Sequence, residues 1–190
     1  MSVLIVEGVT GAGKTSTINA LRDVCAFELF DEEATFDDFV SGFRLDRDNA
    51  ARQARDRMTA ILDRIERDLS GSNVLLERFH FSQLALGSEW HWFRDIDDRC
   101  AALGARVGVL CLPVPALESR SLYRAEYDGQ DWQDLIGRYG SKTEALAVIA
   151  HAQSARIEAI AHSRLELRIV DAAAKDWERY AAELADWIAW

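Results

Sequence analysis

The sequence predicts one α/β domain built around a parallel β-sheet. Short apolar runs rich in β-branched residues recur along the chain, and amphipathic helical segments separate them. Runs that are apolar throughout are typical of strands covered on both faces, and their alternation with helices is typical of a parallel sheet. A length of 190 residues provides one sizeable core and is too short for two ordinary domains. We therefore expect residues 1–190 to fold as a single domain.

Five runs are the predicted strands, at residues 2–6, 25–30, 73–76, 106–112 and 165–170. Apolar side chains recur at helical spacing over residues 58–69. Ser141 and Glu144 have the spacing of a capping box, which predicts a long helix over about 141–162. The apolar stripe of that helix carries one polar residue, Gln153. A closing amphipathic helix is predicted at the C-terminal end, with its tryptophans in the core.

Composition and charge exclude several classes of function. A formal net charge of -10 argues against a nucleic-acid polymer or an anionic membrane surface as partner, because both reward an excess of Lys and Arg. Cys25, Cys100 and Cys111 have no metal-binding spacing, and their odd number suits a reducing compartment. The first seven residues lack the features of a signal peptide, and no stretch approaches the length of a bilayer span. We expect a cytoplasmic protein, with a homodimer left open as its oligomeric state.

A complete G-x-x-x-x-G-K-[ST] motif follows the first predicted strand, at residues 8–15. Glycines at these positions let backbone N–H groups turn toward phosphate oxygens, and the helix that follows adds its partial positive charge. We expect Lys14 to bridge the β- and γ-phosphates of ATP and Thr15 to bind Mg²⁺. The predicted nucleotide-binding residues are Gly8, Thr10, Gly11, Ala12, Gly13, Lys14, Thr15 and Ser16.

The phosphate loop alone does not distinguish a kinase from a GTPase or an ATPase motor. A regulatory GTPase would normally carry N-K-x-D for guanine, and this sequence has none. The D-x-x-G at residues 134–137 lies in a helical pattern. The sequence therefore favours a kinase, and the alternative is a nucleotide-dependent switch that hydrolyses nucleotide slowly and acts through a protein.

Three further segments resemble the thymidylate kinase and deoxynucleoside kinase group of P-loop kinases. Glu7-Gly8 is similar to the E-G that opens the loop in both families. Residues 75–82, LLERFHFS, resemble the D-R-Y of thymidylate kinases and the E-R-S of deoxynucleoside kinases, and residues 169–172, IVDA, resemble an I-D-A segment. The resemblance implies an α/β P-loop fold, a five-stranded parallel sheet of order 2-3-1-4-5 with helices on both faces, and a lid at about 115–140.

The resemblance also implies roles for individual residues. Glu77 would hold Mg²⁺, and Arg78 would contact the acceptor beside the transferred phosphoryl group. Arg120 and Arg124 are four residues apart in the lid segment, so they share a helix face from which they can neutralise charge in the transition state. Arg138 is a weaker candidate for the same role.

The acceptor side of the site has looser signals. In the related nucleoside kinases a glutamate at the end of the second strand takes the proton of the acceptor hydroxyl, and Asp31, Glu32 and Glu33 all lie there. The choice among them stays open, with Glu32 and Glu33 favoured. Thr10 and Ala34 stand where thymidylate kinases usually carry Asp and part of R-E-P, so thymidylate is expected to be a poor substrate.

Aromatic residues near the predicted strand ends are candidates for an acceptor pocket or for the core, and the core is the favoured interpretation for each one. They are Phe36, Phe39, Phe43, His80, Phe81, Trp90, His91, Trp92 and Phe93. The sequence thus predicts an ATP- and Mg²⁺-dependent phosphotransferase. Its acceptor is a nucleoside, a nucleotide or a specialised metabolite such as an antibiotic.

Overall fold

The structure is a computed structural model that describes residues 2–36, 46–122, 137 and 139–190. Its centre is a sheet of five strands: β1 Val3–Gly8, β2 Glu28–Phe30, β3 Val74–Glu77, β4 Arg106–Cys111 and β5 Glu166–Asp171. All neighbouring strands are parallel, and their order is β2-β3-β1-β4-β5. This is the order that the resemblance implied, so the predicted fold class is confirmed.

Helices connect the strands and cover both faces of the sheet. They are α1 Lys14–Val24, α2 Glu32–Phe36, α3 Arg47–Asp68, α4 His80–Ala85, α5 Arg94–Ala102, α6 Val114–Leu117, α7 Lys142–Ala161 and α8 Trp177–Ile188. A 3₁₀ turn at Trp90–Trp92 precedes α5, and a π-helical turn at Glu118–Leu122 follows α6. None of the helices in the described part of the chain combines the length and the apolar character that a bilayer crossing requires.

Side chains of β1 alternate between two buried clusters, one on each face of the sheet. Val3 and Ile5 pack with residues of α3, α4 and α5, whereas Leu4 and Val6 pack with residues of α1 and α8. All four side chains are fully buried. The continuous apolar run of the sequence is thus explained by a central strand that is covered on both faces.

The predicted long helix forms with the expected cap. The hydroxyl of Ser141 accepts a hydrogen bond from the Glu144 N–H at 3.2 Å, so α7 begins as the capping-box spacing indicates. The side-chain amide of Gln153 bonds the N–H and the carbonyl of Leu112, each at 2.9 Å. The polar residue on the apolar stripe therefore ties α7 to the end of β4.

Two sequence expectations differ from the structure in detail. Residues 25–27 were predicted as strand, but Cys25 ends α1, where its N–H bonds the Leu21 carbonyl, and β2 begins only at Glu28. The core of α8 is formed by Tyr180, Leu184 and other buried residues, while its tryptophans are half-buried. Indole rings are too large to be enclosed completely on a terminal helix that meets solvent on one side.

Candidate active site

The phosphate loop connects β1 to α1 in a conformation that requires its glycines. Gly11 and Gly13 have φ angles of 84° and 96°. A side chain at Gly11 would overlap the backbone of Arg120, and one at Gly13 would overlap the ring of Trp177. Both positions therefore exclude a Cβ on steric as well as conformational grounds. The loop is shaped for a close approach of its backbone N–H groups to phosphate oxygens.

A second segment braces this loop from the side. The Ser121 hydroxyl donates to the Thr10 carbonyl at 2.6 Å. The buried guanidinium of Arg120 donates to the carbonyls of Ala12, at 3.2 Å, and Ala172. The same guanidinium lies 5.0 Å from the ring centroid of Trp177. Arg120 thus contacts the phosphate loop in the structure, and its expected action in the transition state stays a prediction. Arg124 and Arg138 lie outside the described residues.

Lys14 is the first residue of α1 and is nearly buried beneath the loop. Burial lowers the pKa of Lys14 to about 7, because the ammonium group loses hydration, and the nearby cations Arg78 and Arg156 repel it. Glu32 and Glu77 oppose this shift. The lysine is therefore held where an added negative charge, such as a phosphate, would be strongly favoured.

Arg78 follows β3 at the carboxyl edge of the sheet, where open α/β sheets bind ligands. Its Nε lies 2.8 Å from a carboxylate oxygen of Glu32, and its Nη2 lies 3.5 Å from the Thr10 hydroxyl. Its φ angle is 53°, in the left-handed region that non-glycine residues seldom adopt. The sequence therefore placed Arg78 correctly at a strand end beside the phosphate loop.

The three carboxylates after β2 are separated by their positions on α2. Asp31 accepts the Ala34 N–H at 3.0 Å, so its side chain serves as a helix cap. Glu32, whose side chain is 47% exposed, contacts Arg78 and lines a cavity. Glu33 is also exposed but is not among the residues of that wall. The geometry distinguishes Glu32 from Glu33, which the sequence favoured together over Asp31.

Glu77 ends β3 with a buried carboxyl group that accepts a hydrogen bond from the Glu32 backbone N–H. Burial raises the pKa of this carboxyl group, and the charge of Lys14 opposes the rise. Thr15 and Ser16 are exposed in the first turn of α1.

These groups fit a magnesium ion. Hydroxyl and carboxylate oxygens are the ligands that Mg²⁺ prefers, and it usually takes only one or two from protein beside phosphate oxygens and waters. Thr15 and Glu77 supply that donor set. Among the described residues, no cluster of three or more His, Cys, Asp or Glu side chains could hold a metal by itself. The site would therefore need the nucleotide to complete the coordination of the ion.

A cavity of about 220 Å³ opens beside the phosphate loop. Its wall is formed by Val9, Thr10, Glu32, Arg78, Leu86, Tyr139, Val148, Ile149, Ala152 and Arg156. Most of these side chains are apolar, and the charged ones converge where Arg78 meets Glu32. A few placed polar groups in an apolar wall are the usual composition of a small-molecule site.

Most of the aromatic candidates lie elsewhere in the structure. His80, Phe81 and Phe93 are buried in the protein interior, and Trp90 and Trp92 pack against the core from α5's side of the sheet. His91 is a surface residue. The favoured core interpretation is thus confirmed for the described residues other than His91, because rings next to a buried strand are needed by the core itself. Phe39, Phe43 and the side chain of Phe36 lie outside the described residues.

Arg156 is a site residue that was not predicted from the sequence; it is 3% exposed and lies at the cavity wall. Its Nε donates to a carboxylate oxygen of Glu7 at 2.8 Å. A signal was present, because Arg156 is seven residues after Ile149 and so lies on the same helical stripe. A second polar residue on that stripe indicated a buried partner.

Taken together, the parallel sheet, its strand order and the phosphate loop after the central strand constitute the fold of the P-loop kinases. No protein-family model matches the chain, and no curated protein matches its sequence. Solved structures match over nearly their whole length. Shikimate kinase from Bacteroides thetaiotaomicron is similar with a TM-score of 0.66 and 14% identity, covering 100% of this chain and 99% of that one.

Two further structures show the same similarity of fold. The YorR protein from Bacillus subtilis, solved in complex with phosphorylated GDP, has a TM-score of 0.64 at 16% identity, with 98% and 95% coverage of this chain and that one. Thymidylate kinase from Candida albicans has a TM-score of 0.62 at 15% identity, with 98% and 90% coverage. The resemblance drawn from the motifs is thereby confirmed at the level of the fold.

Proposed function

We propose that this protein transfers the γ-phosphoryl group of ATP, with Mg²⁺, to the hydroxyl group of a compact small molecule. The observation that carries the proposal is the cavity beside the phosphate loop, where Glu32 and Arg78 meet at 2.8 Å. A candidate base and a cation beside the phosphate loop are the groups that phosphoryl transfer needs.

Each residue has a distinct task in this proposal. The loop of residues 8–16 and Lys14 hold the phosphates. Thr15 and Glu77 would hold Mg²⁺, which would supply positive charge to the phosphate oxygens. Glu32 accepts the proton of the attacking hydroxyl, which removes its negative charge, and Arg78 then stabilises charge on the phosphoryl group as it moves. Arg120 holds the phosphate loop in place, and Arg124, in the lid segment, stabilises charge on the transferred phosphoryl group.

The charge balance of the site favours an uncharged acceptor over one that already carries phosphate. Glu32 balances Arg78, and Glu7 balances Arg156. A phosphate monoester would carry roughly two negative charges into a cavity whose arginines are already paired with carboxylates. Burial of such unbalanced charge is costly. An alcohol needs only a hydrogen bond to Glu32.

The size of the cavity narrows the acceptor further. A volume of about 220 Å³ lies below the roughly 300–1,000 Å³ of typical drug-sized ligand sites. Leu86, Val148 and Ile149 provide apolar surface for the body of the molecule. The solved structures of similar fold include one named for shikimate, a hydroxy acid that offers hydroxyl groups, and one named for thymidylate, which offers a phosphate. The charge balance selects between those two kinds of acceptor.

A screen of acceptors tests the proposal. ADP formation is measured with ATP and Mg²⁺ in the presence of nucleosides, polyols, hydroxylated antibiotics and, separately, nucleoside monophosphates. We expect strong stimulation by at least one alcohol and little by thymidine monophosphate. Stimulation only by monophosphates would refute the alcohol assignment. Stimulation only by a protein would favour the alternative, a nucleotide-dependent switch.

Paired carboxylate variants then test the base. With the best alcohol, Glu32→Gln is expected to lower kcat by roughly 10²- to 10⁴-fold, the usual contribution of a general base. Glu33→Gln is the matched control, because its exposed side chain is one residue away and does not contribute to the cavity wall. Equal losses in the two variants would contradict the role of Glu32.

A further inference from the structure

A buried carboxylate, Glu7, lies at the centre of a hydrogen-bond network behind the candidate active site. It precedes the phosphate loop at the end of β1 and is fully buried. Its Oε1 accepts the backbone N–H of Phe79 at 2.9 Å. Its Oε2 accepts the Ser82 hydroxyl at 2.7 Å and the Arg156 Nε at 2.8 Å. One side chain therefore joins β1, α4 and α7.

The network holds the backbone on both sides of Arg78. The N–H of Arg78 donates to the Val6 carbonyl at 3.1 Å, and the N–H of the next residue, Phe79, donates to Glu7. Between these two anchors Arg78 has a φ angle of 53°. A non-glycine residue keeps such a conformation only where its surroundings impose it. The Glu7 carboxylate is the group placed to impose it on the following peptide.

Arg156 completes the network because a buried carboxylate needs a matching charge. Its guanidinium also donates to the Ala152 carbonyl at 3.1 Å and approaches the Ser82 hydroxyl at 3.3 Å. Removing one member of a buried ion pair leaves the other uncompensated. Arg156 also lies at the wall of the acceptor cavity, so this pair connects α7 to the backbone beside Arg78.

We propose that Glu7, Ser82 and Arg156 are positioning residues that hold Arg78 in its left-handed conformation and so direct its guanidinium to Glu32. They act through Arg78 and do not themselves contact the reacting groups. The catalytic consequence rests on the proposed function, whereas the structural consequence does not. The two are therefore tested separately.

The structural test removes both charges together, since a lone buried charge would confound the result. Crystal structures of Glu7→Met/Arg156→Met and of the wild type, each with ADP and Mg²⁺, are compared. We expect Arg78 to leave the positive-φ region and to lose its contact with Glu32. The matched control is Gln153→Met, which removes two hydrogen bonds from the same helix without touching Glu7. In this control Arg78 is expected to stay in place.

The kinetic test is a double-mutant cycle with the best alcohol from the acceptor screen. Glu7→Gln, which keeps the shape of the side chain, is measured in the wild type and in an Arg78→Met background. Any effect of the uncompensated Arg156 charge that does not act through Arg78 then appears in both backgrounds and cancels in the comparison. We expect Glu7→Gln to lower kcat roughly 10- to 100-fold in the wild type, as a small misplacement of a reacting group does. In the Arg78→Met background the same change is expected to lower kcat less than about twofold.

The outcomes separate the two hypotheses. An unchanged Arg78 conformation in the double variant would overturn the positioning proposal whether or not an acceptor is found. Equal fold-losses from Glu7→Gln in both backgrounds would also overturn it, because a general loss of structure does not depend on Arg78. If the double variant does not fold, the positioning proposal is tested instead by the crystal structure of Glu7→Gln and by the kinetic cycle. If no acceptor stimulates ADP formation but Arg78 is displaced as expected, the proposed function is refuted and the positioning proposal still holds.

Discussion

The protonation of Lys14 gives the sharpest prediction, because the pKa of about 7 lies within the range of ordinary assays. Burial is the main cause of the low pKa of Lys14. At pH values above this pKa, the lysine is largely neutral in the protein without nucleotide. A bound phosphate supplies negative charge and raises the pKa of Lys14. Nucleotide binding must therefore take up a proton at alkaline pH, and affinity must fall as the pH rises.

The magnitude follows from the linkage between the two pKa values. With a pKa of about 7 in the free protein and one well above 9 in the complex, the Kd rises about twentyfold between about pH 7.5 and about pH 9. In the same interval binding takes up close to one proton per nucleotide. ADP is the suitable ligand, since its terminal phosphate, with a second pKa near about 6, is already ionised there.

Isothermal titration calorimetry measures both quantities. ADP is titrated across the pH range in two buffers of different ionisation enthalpy, and the difference in heat gives the number of protons taken up. Lys14→Arg is the control, because a guanidinium keeps its charge and its Kd should not depend on pH. A wild-type Kd that is constant across this range, with no proton uptake, would refute the reasoning about Lys14.

Three further predictions concern contacts around the site. Gly13→Ala should weaken nucleotide binding about 100-fold in a fluorescence titration. Adding Trp177→Leu should restore only part of the lost affinity, because residue 13 keeps its positive φ angle. Gly108→Ala should lower the free energy of unfolding, measured in urea, by about 1–3 kcal/mol. The reason is that the new Cβ would lie 2.6 Å from a methyl group of Leu184. In a Leu184→Ala background, Gly108→Ala should therefore be nearly neutral. Arg120→Met should lower the free energy of unfolding by about 1–3 kcal/mol by leaving two buried carbonyls without their donor, and an unchanged urea midpoint would contradict its bracing role.

Local motifs explain which parts of the fold and site were predictable. The phosphate loop is a run of neighbouring residues whose geometry follows from glycine and a helix start, so Gly11, Gly13 and Lys14 could be assigned from the sequence alone. The strand order could be given only through the resemblance, because periodicity reveals strands without saying which ones pair. Once the order is known, Arg78 and Glu32 must meet at one edge of the sheet.

Long-range pairing explains what the sequence did not reveal. Glu7 and Arg156 are separated by 149 positions, and no local pattern connects them. The aromatic residues could not be assigned to pocket or core by any motif for a related reason: Phe81 and Phe93 follow the strand-end region in the sequence, but their rings turn into the core. Composition cannot distinguish a ring that lines a pocket from one that fills the interior, since both uses reward the same apolar area.

The cavity wall has a consequence for how such a protein can diversify. Val148, Ile149 and Ala152 reach the cavity from α7, whereas under the proposed function the phosphates bind to the loop between β1 and α1. Val148 is 41% exposed, so its replacement disturbs little of the core. After a gene duplication, changes at these helix positions could give each copy a different acceptor while both keep the same use of ATP. Randomising Val148 and Ile149 alone would be an economical library for selecting kinases with new acceptors.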